Sequence, residues 1–282
     1  MNYELPQINS KGGVNKAMLT PQFETSYKAA LTEIDKFIKN LTGDDFKWFF
    51  MGIDEPGAFL SRQDRAIWEY RLAKSAGLQG AAFMHGPFWK KLAPYNRVNI
   101  FSYIDYTQEN LGTLLAELKQ YENLPYQYGA SGVYGNIPGG LMPSRWGTGF
   151  FAWKTRSRGQ ISWIYSLHRK IDPEGTAHMS WYPTITYADK NGSLISTLQW
   201  EGIREGIDDY CYLYTLMKII SSAKKVPKNS KDAIEIEYKL EKLLSCVPWN
   251  DLGKIPKFDN DGASKLRWQI ASWIMKLRGQ EK

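Results

Sequence analysis

Between about residues 20 and 170 the chain alternates helical patterns with short apolar runs, and this alternation restricts its fold more than any other feature. "TPQFETSYKAALTEIDKFIKNL" sets Phe23, Tyr27, Ala30, Leu31, Ile34, Phe37, Ile38 and Leu41 at helical spacing, opened by Thr20-Pro21 as cap and first-turn proline. "KWFFMGI" follows as a buried strand ending at Asp54. Arg62 to Ala76 returns to helical spacing and stops at Gly77, a residue suited to a helix C-terminus. "LQGAAFMH" and "RVNIFSYID" read as two strands, "TQENLGTLLAELKQY" as a helix and "PYQYGA" as a strand. "LMPSRWGTGFFAWKTRSRG", helical from Pro143, precedes a last strand, "QISWIYSL". Strand and helix alternating through short connections predict an α/β fold, a parallel sheet of about five strands with crossover helices.

The last third has another character. "SWYPTITYADKNGSLIST" predicts a hairpin turning at Asp189-Lys190-Asn191-Gly192, because Asn-Gly adopts the tight turn that two paired strands need. "LQWEGIREGIDDYCYLYTLMKIISSAKK" predicts a long helix with an apolar stripe through Ile203, Ile207, Tyr210/Cys211, Tyr214 and Met217/Lys218. Two further helices are expected near Lys231–Cys246 and Gly262–Arg278. No Ser/Gly/Pro-rich linker divides the 282 residues, so one domain is expected: a polar lead at 1–19, strand-helix units at 20–170, and hairpin and helices at 171–282.

Several function classes are disfavoured. The apolar runs fall short of the roughly 20 residues that cross a bilayer, so a soluble chain without membrane insertion is expected. "MNYELPQINSKGG" lacks the pattern of a signal peptide, and the compartment stays open. The net charge of +7 is spread among acidic residues, with "KTRSR" at 154–158 the only compact basic cluster, so nucleic-acid binding is not expected. His85, His168 and His178 lie in three separate segments and Cys211 and Cys246 lie far apart, so no metal site is expected and the thiols are read as buried and free. "GVYGNIPGG" has neither phosphate-loop nor dinucleotide spacing, and no cofactor is implied.

The pair Asp54-Glu55 in "MGIDEPG" stands where a strand must stop. In parallel α/β sheets the reactive side chains gather at the carboxyl ends of strands. Pro56-Gly57 breaks the strand at once and lets both acids face one cavity, the arrangement of two carboxyls that glycosidic cleavage uses. The same pair also suits a plainer use, Asp54 as a turn cap and Glu55 as a solvated acid. The strand-end rule nominates His85, Asp105, Trp163 and Tyr165 as substrate contacts, and the glycine-rich loop nominates Tyr134; eleven Trp offer further flat platforms for sugar rings. Glu201, Arg204, Glu205 and Asp208, three or four apart on one helix, read as a structural charge network.

Three segments, "WFFMGIDEPG", "RWGTGFFAWKTRSRGQISWIYS" and "STLQWEGIREGIDDYCYLY", in this order and over about residues 17 to 220, resemble the catalytic domain of glycoside hydrolase family 123 and its relatives, long grouped as a domain of unknown function. Cys211 departs from the Glu that relatives often carry there. The resemblance implies a (β/α)8 TIM-like barrel and a retaining, substrate-assisted hydrolysis of N-acetyl-β-D-galactosaminides. In that scheme Glu55 is the general acid/base and Asp54 orients the sugar's 2-acetamido group. In the family the Asp-Glu strand is the fourth, whereas about 47 residues precede it here. The expectation is therefore a partial barrel, the C-terminal part of such an enzyme, completed by an N-terminal segment or a second chain. The alternative is a non-catalytic carbohydrate-binding or structural fragment.

Overall fold

A computed structural model describes residues 20–57, 60–84, 86–102, 105–128, 141–161, 186–188, 191, 193–249 and 260–279. They gather into two units whose boundary falls inside one strand, after Tyr126.

The first unit opens with helix α1 (Pro21–Thr42), capped by Thr20, whose Oγ1 accepts from Phe23 N–H at 3.2 Å. Helix α2 (Leu60–Ser75) ends at Gly77, which takes a left-handed φ of 85° while Leu78 N–H bonds back to Ala73 O. That is the glycine-terminated helix end expected from the sequence. Strand β1 (Ala81–Met84), helix α3 (Trp89–Leu92), strand β2 (Val98–Ser102), helix α4 (Leu111–Gln120) and strand β3 (Leu124–Tyr128) follow. β1 and β2 pair in parallel, Ala81 with Val98 through Met84 with Phe101. Their core is Ala82, Met84, Val98, Ile100 and Phe101, together with Leu92, Tyr106 and Leu118. Buried Asn96, Asn99 and Asn123 link their side-chain amides, and Asn123 also reaches the carbonyls of Ala93 and Asn96. This network ties down the chain entering β2 and β3.

The second unit holds helix α5 (Leu141–Trp146), continued through a π-helical stretch, Gly147–Phe151, into α6 (Ala152–Lys154), then strand β4 (Gln160–Ile161). β4 pairs in parallel with β3, Gln127 with Gln160, and the four-stranded sheet has the order β1-β2-β3-β4. The expected strand pair is present: β5 (Thr186–Ala188) runs antiparallel to β6 (Leu194–Ser196), while Asp189, Lys190 and Gly192 of the expected turn lie outside the described residues. Helices α7 (Leu198–Ala223), α8 (Pro227–Ser245) and α9 (Asn260–Gly279) complete the fold, so the chain is a mixed α/β protein rich in helix. No helix among the described residues is long and apolar enough to cross a membrane.

Three expectations need correction. "KWFFMGI" is no full strand: only Phe50 makes a parallel bridge, to Gly80, with Phe50 N–H on Gln79 O and Ala81 N–H on Phe50 O, both at 2.8 Å. The ladder stops there because side chains of α2 take the next two amides: Tyr70 Oη accepts from Gly52 N–H and Glu69 Oε2 from Ile53 N–H. The buried face of α7 is not the stripe through Ile203, Ile207 and Tyr214. It is Gly202, Gly206, Asp209, Leu213, Leu216 and Ile220, and Ile207 and Tyr214 are each 51% exposed. Both cysteines, read as buried, are exposed and free.

Candidate active site

The Asp54-Glu55 loop is built by helix α2. Gly52 brings the chain onto that helix so closely that an added Cβ would stand 2.5 Å from Glu69 Oε2 and 3.2 Å from the Tyr70 ring. Glu69, 4% exposed, accepts from Ile53 N–H at 2.8 Å and from Arg65 Nε at 2.6 Å. Tyr70 accepts from Gly52 N–H and donates to Ala81 O at 2.6 Å, which joins the loop to β1. Arg62 Nη1 donates to Asp54 O at 2.9 Å. The loop that carries the acid pair is therefore fixed through its backbone at Gly52, Ile53 and Asp54.

The two acids occupy different surroundings. Asp54 is exposed, Glu55 is half-buried, and Pro56 behind them is buried. Glu55 has φ of 45°, in the left-handed region that costs a residue with a Cβ about 1 kcal/mol or more. The two other non-glycine residues with positive φ among the described residues, Glu122 and Arg156, each follow a helix end closed by the paired 6→1 and 5→2 hydrogen bonds of a Schellman motif. Glu55 follows no helix, so the loop alone imposes its conformation. Strain of this kind is characteristic of residues held for function.

Two phenols respond to the charges around α2. Burial, then the Glu69 charge, pushes the Tyr27 hydroxyl up to about 12, against the opposing charge of Arg65. Burial raises Tyr70 further still, helped by the charges of Glu69 and Asp54 and opposed by the Gly52 N–H bond.

Of the other expected contacts, Asp105 lies just past β2, half-buried, its carbonyl accepting from Asn110 Nδ2 at 2.7 Å. Ahead of α4, Thr107 and Asn110 exchange bonds between side chain and backbone. His85, Tyr134, Trp163 and Tyr165 lie outside the described residues. The sequence reading missed Arg62, Arg65, Glu69 and Tyr70. Its available signal was Arg65 and Glu69, one helical turn apart directly after the acid pair. Among the described residues no group of three or more His, Cys, Asp or Glu side chains is placed to hold a metal.

The other two motif segments meet inside the second unit. Arg145 Nε and Nη2 donate to Asp209 Oδ2 and Oδ1 at 2.7 and 3.1 Å. Arg267 Nε reaches Asp209 Oδ1 at 2.6 Å and its Nη1 pairs with Glu205 at 2.7 Å. Arg204 joins Glu201, Glu205 and Asp208 on the exposed side of α7, the network expected there. Two clefts flank the outward face of α7. One, of about 320 Å³, includes Thr148, Gln160, Ile207 and Tyr210; the other, of about 580 Å³, includes Trp153, Arg156, Tyr214 and Lys218; Arg158 and Tyr210 border both.

Neither a scan against protein-family models nor a search of curated proteins returns a match to this chain.

Proposed function

We propose that the chain is a glycoside hydrolase acting on N-acetyl-β-D-galactosaminides or related β-hexosaminides, on a partial (β/α)8 barrel of about five parallel strands. The observation that carries this reading is the position of Asp54 and Glu55. They follow the Phe50–Gly80 parallel bridge, on its carboxyl side, and Glu55 is held in a left-handed conformation. The sheet order β1-β2-β3-β4 supports the barrel reading, because sequential parallel strands are the repeating unit of that fold.

In this mechanism the nucleophile belongs to the substrate. The 2-acetamido oxygen attacks the anomeric carbon as the glycosidic bond breaks, and half-buried Glu55 gives its proton to the leaving oxygen. Asp54, exposed, orients the acetamido N–H and stabilises the positive charge of the oxazolinium-like intermediate. Glu55 then takes a proton from the water that opens this ring, so the acid is regenerated and configuration is retained.

A non-catalytic carbohydrate-binding role is favoured by one observation: the two clefts flanking α7 include neither acid. Hydrolysis of an aryl N-acetyl-β-D-galactosaminide decides between the two readings. Glu55→Gln should lower turnover of poor leaving groups by roughly two to four powers of ten and of activated aryl groups by less. Asp54→Asn should depress both. No turnover by the wild-type chain overturns the hydrolase reading, and equal cleavage of a plain galactoside rules out substrate assistance in favour of the ordinary two-carboxylate route.

A further inference from the structure

The basic cluster at 154–158 has no part in the chemistry assigned to Asp54 and Glu55, yet it borders both clefts of the second unit. Lys154 is occupied structurally: its Nζ donates to Val247 O at 2.5 Å and sits 4.4 Å from the centre of the Trp249 ring. Arg156 and Arg158 differ from it. Both are exposed, both border the 580 Å³ cleft, and neither forms an ion pair among the described residues. On the opposite wall Lys218 lies over the Tyr214 ring at 5.2 Å, also without a carboxylate partner among them. Among the described residues no Asp or Glu borders either cleft. Three cations around one concavity with no acid among them form a site of uncompensated positive charge.

Two further features describe what fits there. Trp153 and Tyr210 meet edge to face at 5.2 Å and 70°, an aromatic corner in place of the parallel slot that would sandwich a nucleobase. A puckered ring with an apolar C–H face packs on such a surface. In the adjoining cleft, Thr148 Oγ1 and Gln160 Nε2 are buried with no hydrogen-bond partner among the described residues. Buried polar atoms left unpaired cost free energy, and a hydroxyl-rich ligand reaching them removes that cost.

Arg156 adds an independent indication. It occupies the C′ position after α6 with φ of 59°, while Ser157 N–H bonds to Ala152 O and Arg156 N–H to Trp153 O, both at 3.0 Å. Glycine is the favoured residue at that position. An arginine there strains the backbone and sets a cation at the rim of the cleft. The Arg158 and Arg156 charges also act on Tyr210, opposing the rise that burial imposes on its hydroxyl.

We propose that these joined clefts bind an anionic saccharide, its sulfate or carboxylate against Arg156, Arg158 and Lys218 and its hydroxyls against Thr148 and Gln160. The site lies wholly in the second unit and stands whether or not Asp54 and Glu55 cleave sugars.

Calorimetric titration of the whole chain tests this with N-acetylgalactosamine 6-sulfate, glucuronic acid, neutral N-acetylgalactosamine, sodium sulfate and a short single-stranded oligonucleotide. At least one of the two anionic sugars should bind saturably, with the neutral sugar and inorganic sulfate at least about tenfold weaker, the worth of one charge-assisted hydrogen bond. Arg158→Gln should weaken that binding by a similar factor. Arg156→Gly should weaken it too while raising the unfolding midpoint, an opposite movement that a purely structural arginine would not give. The proposal is overturned by equal binding of neutral and charged sugars, by no binding of either anionic sugar, by unchanged affinity in Arg158→Gln, or by an oligonucleotide that binds more tightly than both sugars.

Discussion

Arg145 and Asp209 form a doubly hydrogen-bonded ion pair whose side chains are 1% and 0% exposed, and the two residues come from the two motif segments farthest from the acid pair. The pair needs close helices. An added Cβ on Gly206 would stand 2.7 Å from Arg145 O, and one on Gly149 would stand 2.8 Å from Gly206 O. The glycines of "RWGTG" and "WEGIREG" thus let α7 lie against α5 and the π-helical turn, and Asp209 sits one turn beyond Gly206 where Arg145 and Arg267 converge.

Removing the charge of Asp209 leaves Arg145 buried without its partner. Breaking a buried pair from one side costs about 3–5 kcal/mol, most of it the desolvated charge left behind. Asp209→Asn should therefore lower the unfolding free energy by that amount in urea titrations. Arg145→Met combined with Asp209→Leu should recover much of the loss. A single variant within 1 kcal/mol of the parent would show that water or neighbouring groups replace the pair easily.

The glycines make a sharper contrast. Gly206→Ala must push apart two backbones, and Gly202→Ala meets Leu141 O even more closely, so each should cost about 1–3 kcal/mol. Gly112, exposed in α4 with nothing within 4 Å of an added Cβ, should respond oppositely: Gly112→Ala should stabilise by about 0.5 kcal/mol. Thermal melts of the three variants check the order. Gly206→Ala as stable as the parent would mean that the two backbones part without cost.

These contacts also explain what the sequence could and could not disclose. Helix ends were legible because they depend on neighbouring residues: Thr20 caps α1 and Gly77 closes α2. The buried face of α7 was not, because glycines and an aspartate carry it and apolar periodicity gives them no weight, while Ile207 and Tyr214 face outward. The acid pair stood out in the sequence as a strand-end pattern, although the pairing before it is a single bridge at Phe50. Its support by Glu69 and Tyr70 was hidden, since it depends on how closely α2 approaches Gly52.

Alkaline pH should loosen the first unit. The Tyr27 hydroxyl is raised from 10.0 to about 12 in the folded chain, chiefly by burial and then by the Glu69 charge. A raised folded-state value means that the fold favours the neutral phenol. That stability is complete below pH 10 and is lost as the pH rises through about 12, because the unfolded chain releases its proton first. Midpoints measured from pH 9 to 12 should fall, and Tyr27→Phe should flatten the decline. Tyr70→Phe should instead weaken the fold at every pH, since the hydroxyl that bridges Gly52 N–H and Ala81 O is gone. A Tyr27→Phe profile parallel to the parent would assign the alkaline loss to other groups.

The left-handed φ of Glu55 separates stability from chemistry most directly. Glycine takes φ of 45° without a Cβ clash, so Glu55→Gly should raise the unfolding free energy by about 1 kcal/mol, whereas Glu55→Gln keeps the clash and should leave stability close to the parent's. Both variants should lose the proton donor and with it the hydrolysis of substrates with poor leaving groups. Glu122→Gly is the control: φ is 57° there, at the end of α4, so it should gain similar stability with hydrolysis unchanged. Parallel urea unfolding and aryl-glycoside assays on the three variants read both effects. If Glu55→Gly were less stable than the parent, contacts of the Glu55 side chain would outweigh the strain, and the loop would be held for packing instead of catalysis.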